Sequence, residues 1–287
     1  MKIILAEHYG MCFGVRDALA EAERLAAHGP LTILGQLVHN PMVRNRLLER
    51  GVREGNLNDL PSARTSQVMI TAHGASDRNR RAWRDAGFTV ADGTCPLVRR
   101  AHEQLRLLLA RGYFPVVIGQ RGHVEVRGLI GDFPGAVVIE SAASVDDLPK
   151  DEARFGVISQ TTQPLAHVHA LVTAIRQARP AAEVKFCDTV CQPTKNRQNA
   201  LQQLLTSCDT IVVVGGRNSN NTRQLVAAAH AADRRVIHVE RPDELRTDWL
   251  EGAEVVGLTA GTSTLKETVA AVHARLLQVA NAAVAGS

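Results

Sequence analysis

Residues 88–125, FTVADGTCPLVRRAHEQLRLLLARGYFPVVIGQRGHVE, run from a short β-like segment through a cysteine, a helix and a strand into a polar loop. FTVAD leads to Cys95. From Pro96 onward apolar residues recur at spacings of three and four, the period of a helix. Pro96 itself suits a helix first turn. The apolar run FPVVI then ends in GQRGHVE. The same phrase occurs twice more. KIILAEHYGM precedes Cys12 and EVKFCDTV precedes Cys191; GVRDALAEAERLAAHG and PTKNRQNALQQLLTS follow as helices. LTILGQLVHNP and TIVVVGGRNSNNT come next, again as strands with polar ends. The three cysteines lie 83 and 96 residues apart, a repeat of about 90 residues.

Each repeat continues in step. An acidic turn phrase follows (NLNDLP, SVDDLP, RPDELR), then a second strand with a polar end (VMITAHGAS, GVISQTTQP, VVGLTAGTST), then a helix leading into the next cysteine-bearing strand. The last helix, KETVAAVHARLLQ, has no strand after it. Lys2 to Ala6 would supply the missing member, so the chain is expected to close circularly. Strand–helix alternation predicts an α/β fold of parallel sheets. The expected lobes are 13–94, 95–190, and 191–287 together with 1–12, related by a pseudo-threefold axis as a trefoil. Ligands of such sheets bind beyond the carboxyl ends of the strands. Three lobes would aim three cysteines and six polar loops at one centre. Those loops are His39-Asn40, His73-Gly74, His123-Val124-Glu125, Gln160-Thr161-Thr162, Ser219-Asn220-Asn221 and Thr262-Ser263-Thr264.

Composition narrows the chemistry. The 287 residues carry 33 Lys and Arg against 29 Asp and Glu, a formal charge of +4. Only five of those cations are Lys, and no basic block occurs. With six Phe, two Trp and two Tyr there is little to stack on bases, which argues against nucleic-acid binding. No apolar stretch approaches the ~20 residues that span a bilayer. MKIILAEHYG reaches a Glu and a His too early for a signal peptide, and five cysteines are too few and odd for a secreted disulfide scaffold. The expectation is a cytoplasmic protein.

Three thiolates at helix starts, each favoured by the helix dipole, repel one another unless a cation holds them. Zinc and an iron–sulfur cluster are the soft-ligand options. A [4Fe–4S] cluster held by three cysteines instead of four leaves one iron open. Cys187 and Cys208 fall outside the repeat phase and read as core residues. His39, His73 and His123 end strands in phase, as donors to an anion or a proton source. The Ser, Asn and Thr loops offer hydroxyl, amide and helix-start N–H donors, and the same side chains are good N-caps. No complete phosphate-binding nucleotide motif is present. Glu125 is the one carboxylate among the loops, two residues from His123. Extended spacing would put both on one side. Burial beside negative groups would raise its pKa and suit it to general-acid work.

At these residues the sequence resembles the 4-hydroxy-3-methylbut-2-enyl diphosphate reductase family of LytB/IspH type. The matching phrases are GMCFGV, VHNPMV, TAHGAS, DGTCPLV, GHVEVRG, SQTTQ, CQPTKNRQ, GGRNSNNT and TAGTST, in order along nearly the whole chain. The resemblance implies a trefoil around a central [4Fe–4S] cluster on Cys12, Cys95 and Cys191. It implies substrate contacts from His39, His73, His123, Thr161, Ser219, Asn220, Asn221 and Ser263. Glu125 would feed protons, assisted by His123 and Thr161, in a two-electron reductive dehydroxylation giving isopentenyl and dimethylallyl diphosphates. Electrons would come from ferredoxin or flavodoxin. Three positions depart from the family pattern: Asn220 replaces a Ser, and Val124 and Leu265 each replace a Pro. A relative acting on another diphosphate, a catalytically inactive phosphate sensor, and a zinc or cysteine-nucleophile enzyme are the alternatives.

Overall fold

Three stretches that each begin at an in-phase cysteine fold into three repeats of one topology. The computed structural model describes residues 1–38 and 40–285, with side chains through 281. The chain opens with β1 (Lys2–Leu5) and α1 (Phe13–His28), then β2 (Leu31–Leu34), α2 (Pro41–Glu49), β3 (Arg53–Gly55), β4 (Gln67–Ile70), α3 (Asp77–Asp85) and β5 (Thr89–Asp92). α4 (Pro96–Ala110) leads into β6 (Phe114–Ile118), α5 (Val124–Ile130), β7 (Val137–Ile139), β8 (Arg154–Ser159), α6 (Leu165–Ala178) and β9 (Glu183–Phe186). The last stretch is α7 (Gln192–Ser207), β10 (Thr210–Val214), α8 (Asn220–Ala231), β11 (Arg235–Val239), β12 (Val255–Ala260) and α9 (Lys266–Ala285).

The strands form three four-stranded sheets, all parallel, in the orders β5-β4-β2-β3, β9-β8-β6-β7 and β1-β12-β10-β11. In each the cysteine-bearing strand is an edge strand beside the later of the two central strands. For the third sheet that strand is β1, paired with β12 from Lys2↔Val255 to Leu5↔Leu258. The expected closure is therefore present. The second edge strand of each sheet, β3, β7 or β11, was not expected from the sequence.

Packing gathers the chain into two compact units. One comprises residues 1–15, 38–43 and 192–287; the other comprises 16–37 and 44–191. The first holds the sheet of β10 and β12. Every residue of β10 is buried, and alternation sends its side chains to opposite faces. Val212 and Val214 pack with Val269, Val272 and Leu276 of α9, while Ile211 and Val213 pack with Leu201, Leu204 and Leu225 of α7 and α8. The second unit holds the other two sheets. Val116 and Ile118 of β6 face α6, and Val117 joins Leu105 and Leu108 of α4. Trp83 of α3 closes the smaller core over Val68 and Ile70 and donates its ring N–H to the Leu57 carbonyl, 2.8 Å away. All polar loops named above follow the carboxyl ends of central strands.

Candidate active site

The three in-phase cysteines share one backbone device. Beyond each edge strand the backbone bonding continues as far as the cysteine, whose amide reaches the polar loop of the neighbouring strand. The Cys95 amide donates to Ala72 O (3.0 Å), the Cys191 amide to Thr161 O (3.0 Å) and the Cys12 amide to Thr262 O (3.2 Å). A helix follows each: Cys95 is the N-cap of α4 with Pro96 at its first position, and Cys12 and Cys191 directly precede α1 and α7. All three are half-buried, and no disulfide joins any of the five cysteines. Cys208 is buried in the core of α7 and β10, and burial pushes its thiol pKa up. Cys187 is half-buried against the core of β6 and α4. Both occupy the packing positions expected of them.

In the larger unit the acid is prominent. Glu125 is 1% exposed and lies in the first turn of α5. Its Oε1 accepts from the Thr161 amide (2.6 Å) and its Oε2 from the Thr161 hydroxyl (3.1 Å). Burial pushes its pKa up to about 7, only partly offset by those two bonds. The expected extended His123–Glu125 geometry is not what forms. His123 is the N-cap of α5, and its Nδ1 accepts from the Glu125 amide (3.2 Å). Helix entry therefore sends the two side chains apart: Glu125 goes to Thr161, and the His123 ring meets the His73 ring edge-on at 5.6 Å. The Thr71 hydroxyl stands 3.3 Å from His73 Nδ1.

Gln160, marked in the sequence only as a member of its polar loop, has a structural part of its own. Fully buried, it accepts from the Gln120 amide (3.1 Å) and the Gln163 side chain (3.0 Å) and donates to Thr162 Oγ1 (3.1 Å). It thereby ties the loops after β6 and β8 together. Its signal was a Gln directly after a buried strand, where an unpaired amide is costly.

In the other unit Ser219 is the N-cap of α8 and accepts from the Thr222 amide. Asn221 accepts from the Thr262 amide (3.0 Å), which holds the α8 start against the Cys12 partner loop. Ser219, Asn220, Asn221 and Ser263 are all buried. The Ser263 hydroxyl has no protein partner among the described residues, and its carbonyl accepts from the Asn40 side chain (2.8 Å). Asn40 also caps α2 through the Met42 and Val43 amides. Thr222 is wedged between glycines: a Cβ on Gly215 or Gly261 would meet its hydroxyl at 2.6 or 2.1 Å. His39 lies outside the described residues.

Among the described residues no three His, Cys, Asp or Glu side chains form the compact ligand set of a single metal ion. The soft donors are instead distributed one per sheet at equivalent positions. Three half-buried thiols outside disulfides fit the donor chemistry of an iron–sulfur cluster. No helix among the described residues is long and apolar enough to cross a membrane.

The family model described as LytB protein matches residues 3–277. The 4-hydroxy-3-methylbut-2-enyl diphosphate reductase of Aquifex aeolicus (strain VF5) is 34% identical over 285 residues, covering 97% of each chain. The enzyme of the same name from Trichlorobacter lovleyi is 36% identical, covering 98% of this chain and 99% of its own. Among solved structures, the E-1-hydroxy-2-methyl-but-2-enyl-4-diphosphate reductase of Plasmodium falciparum superposes with a TM-score of 0.87 at 26% identity, covering 94% of this chain and 86% of that one. A second, titled (E)-4-hydroxy-3-methyl-but-2-enyl diphosphate reductase, the terminal enzyme of the non-mevalonate pathway, gives 0.70 at 32% identity and covers 97% and 100%. With a family match and relatives this extensive, the chain belongs to the LytB family.

Proposed function

We propose that the protein is a 4-hydroxy-3-methylbut-2-enyl diphosphate reductase that yields isopentenyl and dimethylallyl diphosphates. The observation that carries the proposal is Glu125: a buried acid held by both the amide and the hydroxyl of Thr161, whose carbonyl in turn receives the Cys191 amide. An acid, a hydroxyl relay and a cysteine turn thus meet in one loop.

Cys12, Cys95 and Cys191 are assigned as ligands of a [4Fe–4S] cluster. When bound, it supplies electrons and an iron site open to the substrate oxygen. The protein's own residues do the rest. Glu125, protonated up to about pH 7, gives its proton through the Thr161 hydroxyl to the departing oxygen. His73 and His123 serve as donors toward the anionic substrate, with His123 assisting the proton path. Ser219, Asn220, Asn221 and Ser263 hold the diphosphate, with His39 assigned to the same task. The buried Ser263 hydroxyl supports this, because such a group is costly without a partner and a phosphate oxygen would supply one. Asn220 keeps an amide donor where the family has a hydroxyl. A ferredoxin or flavodoxin is the assigned electron donor.

The deciding experiment is anaerobic turnover of hydroxymethylbutenyl diphosphate with a chemical reductant, alongside iron analysis. The expected protein is brown, holds about four irons per chain and forms both products. A colourless, iron-free protein that stays inactive after anaerobic reconstitution overturns the reading.

A further inference from the structure

We propose that Arg80 is a positioning residue whose guanidinium locks the His73 loop to the Cys95 turn, setting where that thiol and that ring stand. Its side chain is 11% exposed. It reaches four partners on two segments. On the loop after β4 it donates to the Ala75 carbonyl, and at the first residue of its own helix it pairs with Asp77 Oδ1 (3.2 Å). At the end of β5 it donates to Asp92 Oδ2 (3.2 Å), and on the turn that follows to Thr94 Oγ1 (3.1 Å). Thr94 directly precedes Cys95 and is fastened to Asp92 a second time, through its amide (3.0 Å) and its hydroxyl.

The two segments also touch. Gly74 has φ +78°, and a Cβ there would lie 3.0 Å from Thr94 Cγ2, 3.2 Å from Val98 Cγ1 and 3.6 Å from His102 Nε2. The residue after His73 therefore rests on the residue before Cys95, with His102 of α4 beneath. His102 is buried, and neither ring nitrogen has a hydrogen-bond partner among the described residues. Burial first, then the charges of Arg80 and Arg106, holds its pKa down to about 4. The floor of this contact is a neutral ring. Arg80 joins the carboxylates and the Ala75 carbonyl around it, while the more exposed Arg99 and Arg106 of α4 each hold one of those carboxylates, Asp92 (3.5 Å) and Asp77 (2.5 Å). A planar five-donor fork suits that task; an ammonium does not span it. The other cysteine turns share this arrangement in part. Asp188 repeats the Asp92 bond to the Val190 amide (3.0 Å), whereas Tyr9 stands in that place before Cys12, where Arg197 donates to the Gly10 carbonyl. The consequence for the enzyme rests on the assignment of Cys95 as a cluster ligand; the clasp itself does not.

The test uses full-length protein prepared anaerobically, both iron-loaded and iron-depleted. In the depleted form, iodoacetamide labelling of each cysteine is followed by peptide mass spectrometry, with hydrogen exchange of residues 71–76 in parallel. In Arg80→Met all four links are lost, and labelling of Cys95 relative to Cys12 should rise at least about tenfold, the weight of a single charge-assisted hydrogen bond. Exchange of 71–76 should quicken, and Arg80→Lys should restore part of both. Should Arg80→Met not fold, Thr94→Val severs one link and is read the same way. A Cys95 ratio within about twofold of wild type, or a parallel rise at every thiol, overturns the proposal. Iron content separates this from the functional reading. Wild type without iron but with the selective Cys95 response leaves the clasp standing and defeats the cluster assignment; the reverse pattern defeats the clasp alone.

Discussion

At the residue scale Glu125 carries the most weight. Its carboxyl titrates near 4.5 when unfolded and at about 7 in the fold, because burial outweighs the two Thr161 bonds. A raised carboxyl pKa favours the folded state fully below pH 4.5, and that contribution is lost as pH rises to about 7. Denaturant titrations of Glu125→Gln should therefore show a flatter stability profile between pH 4.5 and 7; an unchanged slope would show that Glu125 titrates normally. The same variant should lose at least about a hundredfold in turnover while staying folded. In wild type, turnover should fall as pH rises through 7, since the acid must be protonated to act. Near-normal turnover in Glu125→Gln would mean that another group supplies the proton. Gly261 gives a second test. A Cβ there would lie 2.1 Å from Thr222 Oγ1, a hydroxyl without a protein partner among the described residues. Gly261→Ala should cost about 1–3 kcal/mol by overpacking. Adding Thr222→Ala should recover most of it in a double-mutant cycle. Simple additivity would place the strain elsewhere.

At the element scale, α5 explains why the second loop reads as it does. His123 caps the helix with extended backbone angles (φ −71°, ψ 139°), and Val124 is its first residue. A Pro is suited to that position because its fixed φ matches the helix and its missing N–H is not needed there. The residue before a Pro must be extended, and His123 already is. Val124→Pro should fold, raise stability by about 0.4–1 kcal/mol and leave turnover within a few-fold. A large loss of turnover with intact stability would show that Val124 shapes the site by its side chain. The sequence marked both His123 and Glu125, but the extended spacing that put them on one side is not what forms. Two residues apart is ambiguous between strand alternation and a capped helix start, and only the buried Thr161 partner resolves it. The edge strands β3 and β7 are three residues each, too short for an alternation signal. β3 reads Arg-Glu-Gly and β7 Val-Val-Ile, so neither carries an apolar–polar alternation.

At the scale of the whole molecule, the repeat was legible because it is written in covalent order: cysteine, helix, strand and polar loop recur in phase. The equivalence of the three cysteine turns, each bonded to the loop of the neighbouring strand, follows from that phase. The non-repeating contacts were not legible. Arg80 stands in the helix-like run Arg78-Asn79-Arg80-Arg81, and nothing local marks it as the buried one. The grouping of residues 38–43 with the carboxyl-terminal third depends on contacts such as Asn40 with the Ser263 carbonyl, 223 positions apart. Circular closure was legible only as a missing member, and it makes the amino-terminal strand structurally essential. β1 covers the β12 edge, and Ile3 and Leu5 pack on the α9 side while Ile4 packs on the α7 side. Its loss would expose both the unpaired ladder and apolar surface on each face. Deleting residues 1–6 should therefore abolish hydrogen-exchange protection across 255–260 and make the unit containing 192–287 sensitive to protease. Residues 16–37 and 44–191, whose two sheets contain no strand from residues 1–6, should remain protected. Equal loss of protection in both units would show that the chain unfolds as one cooperative body, and undiminished protection at β12 would show that the closing strand is dispensable.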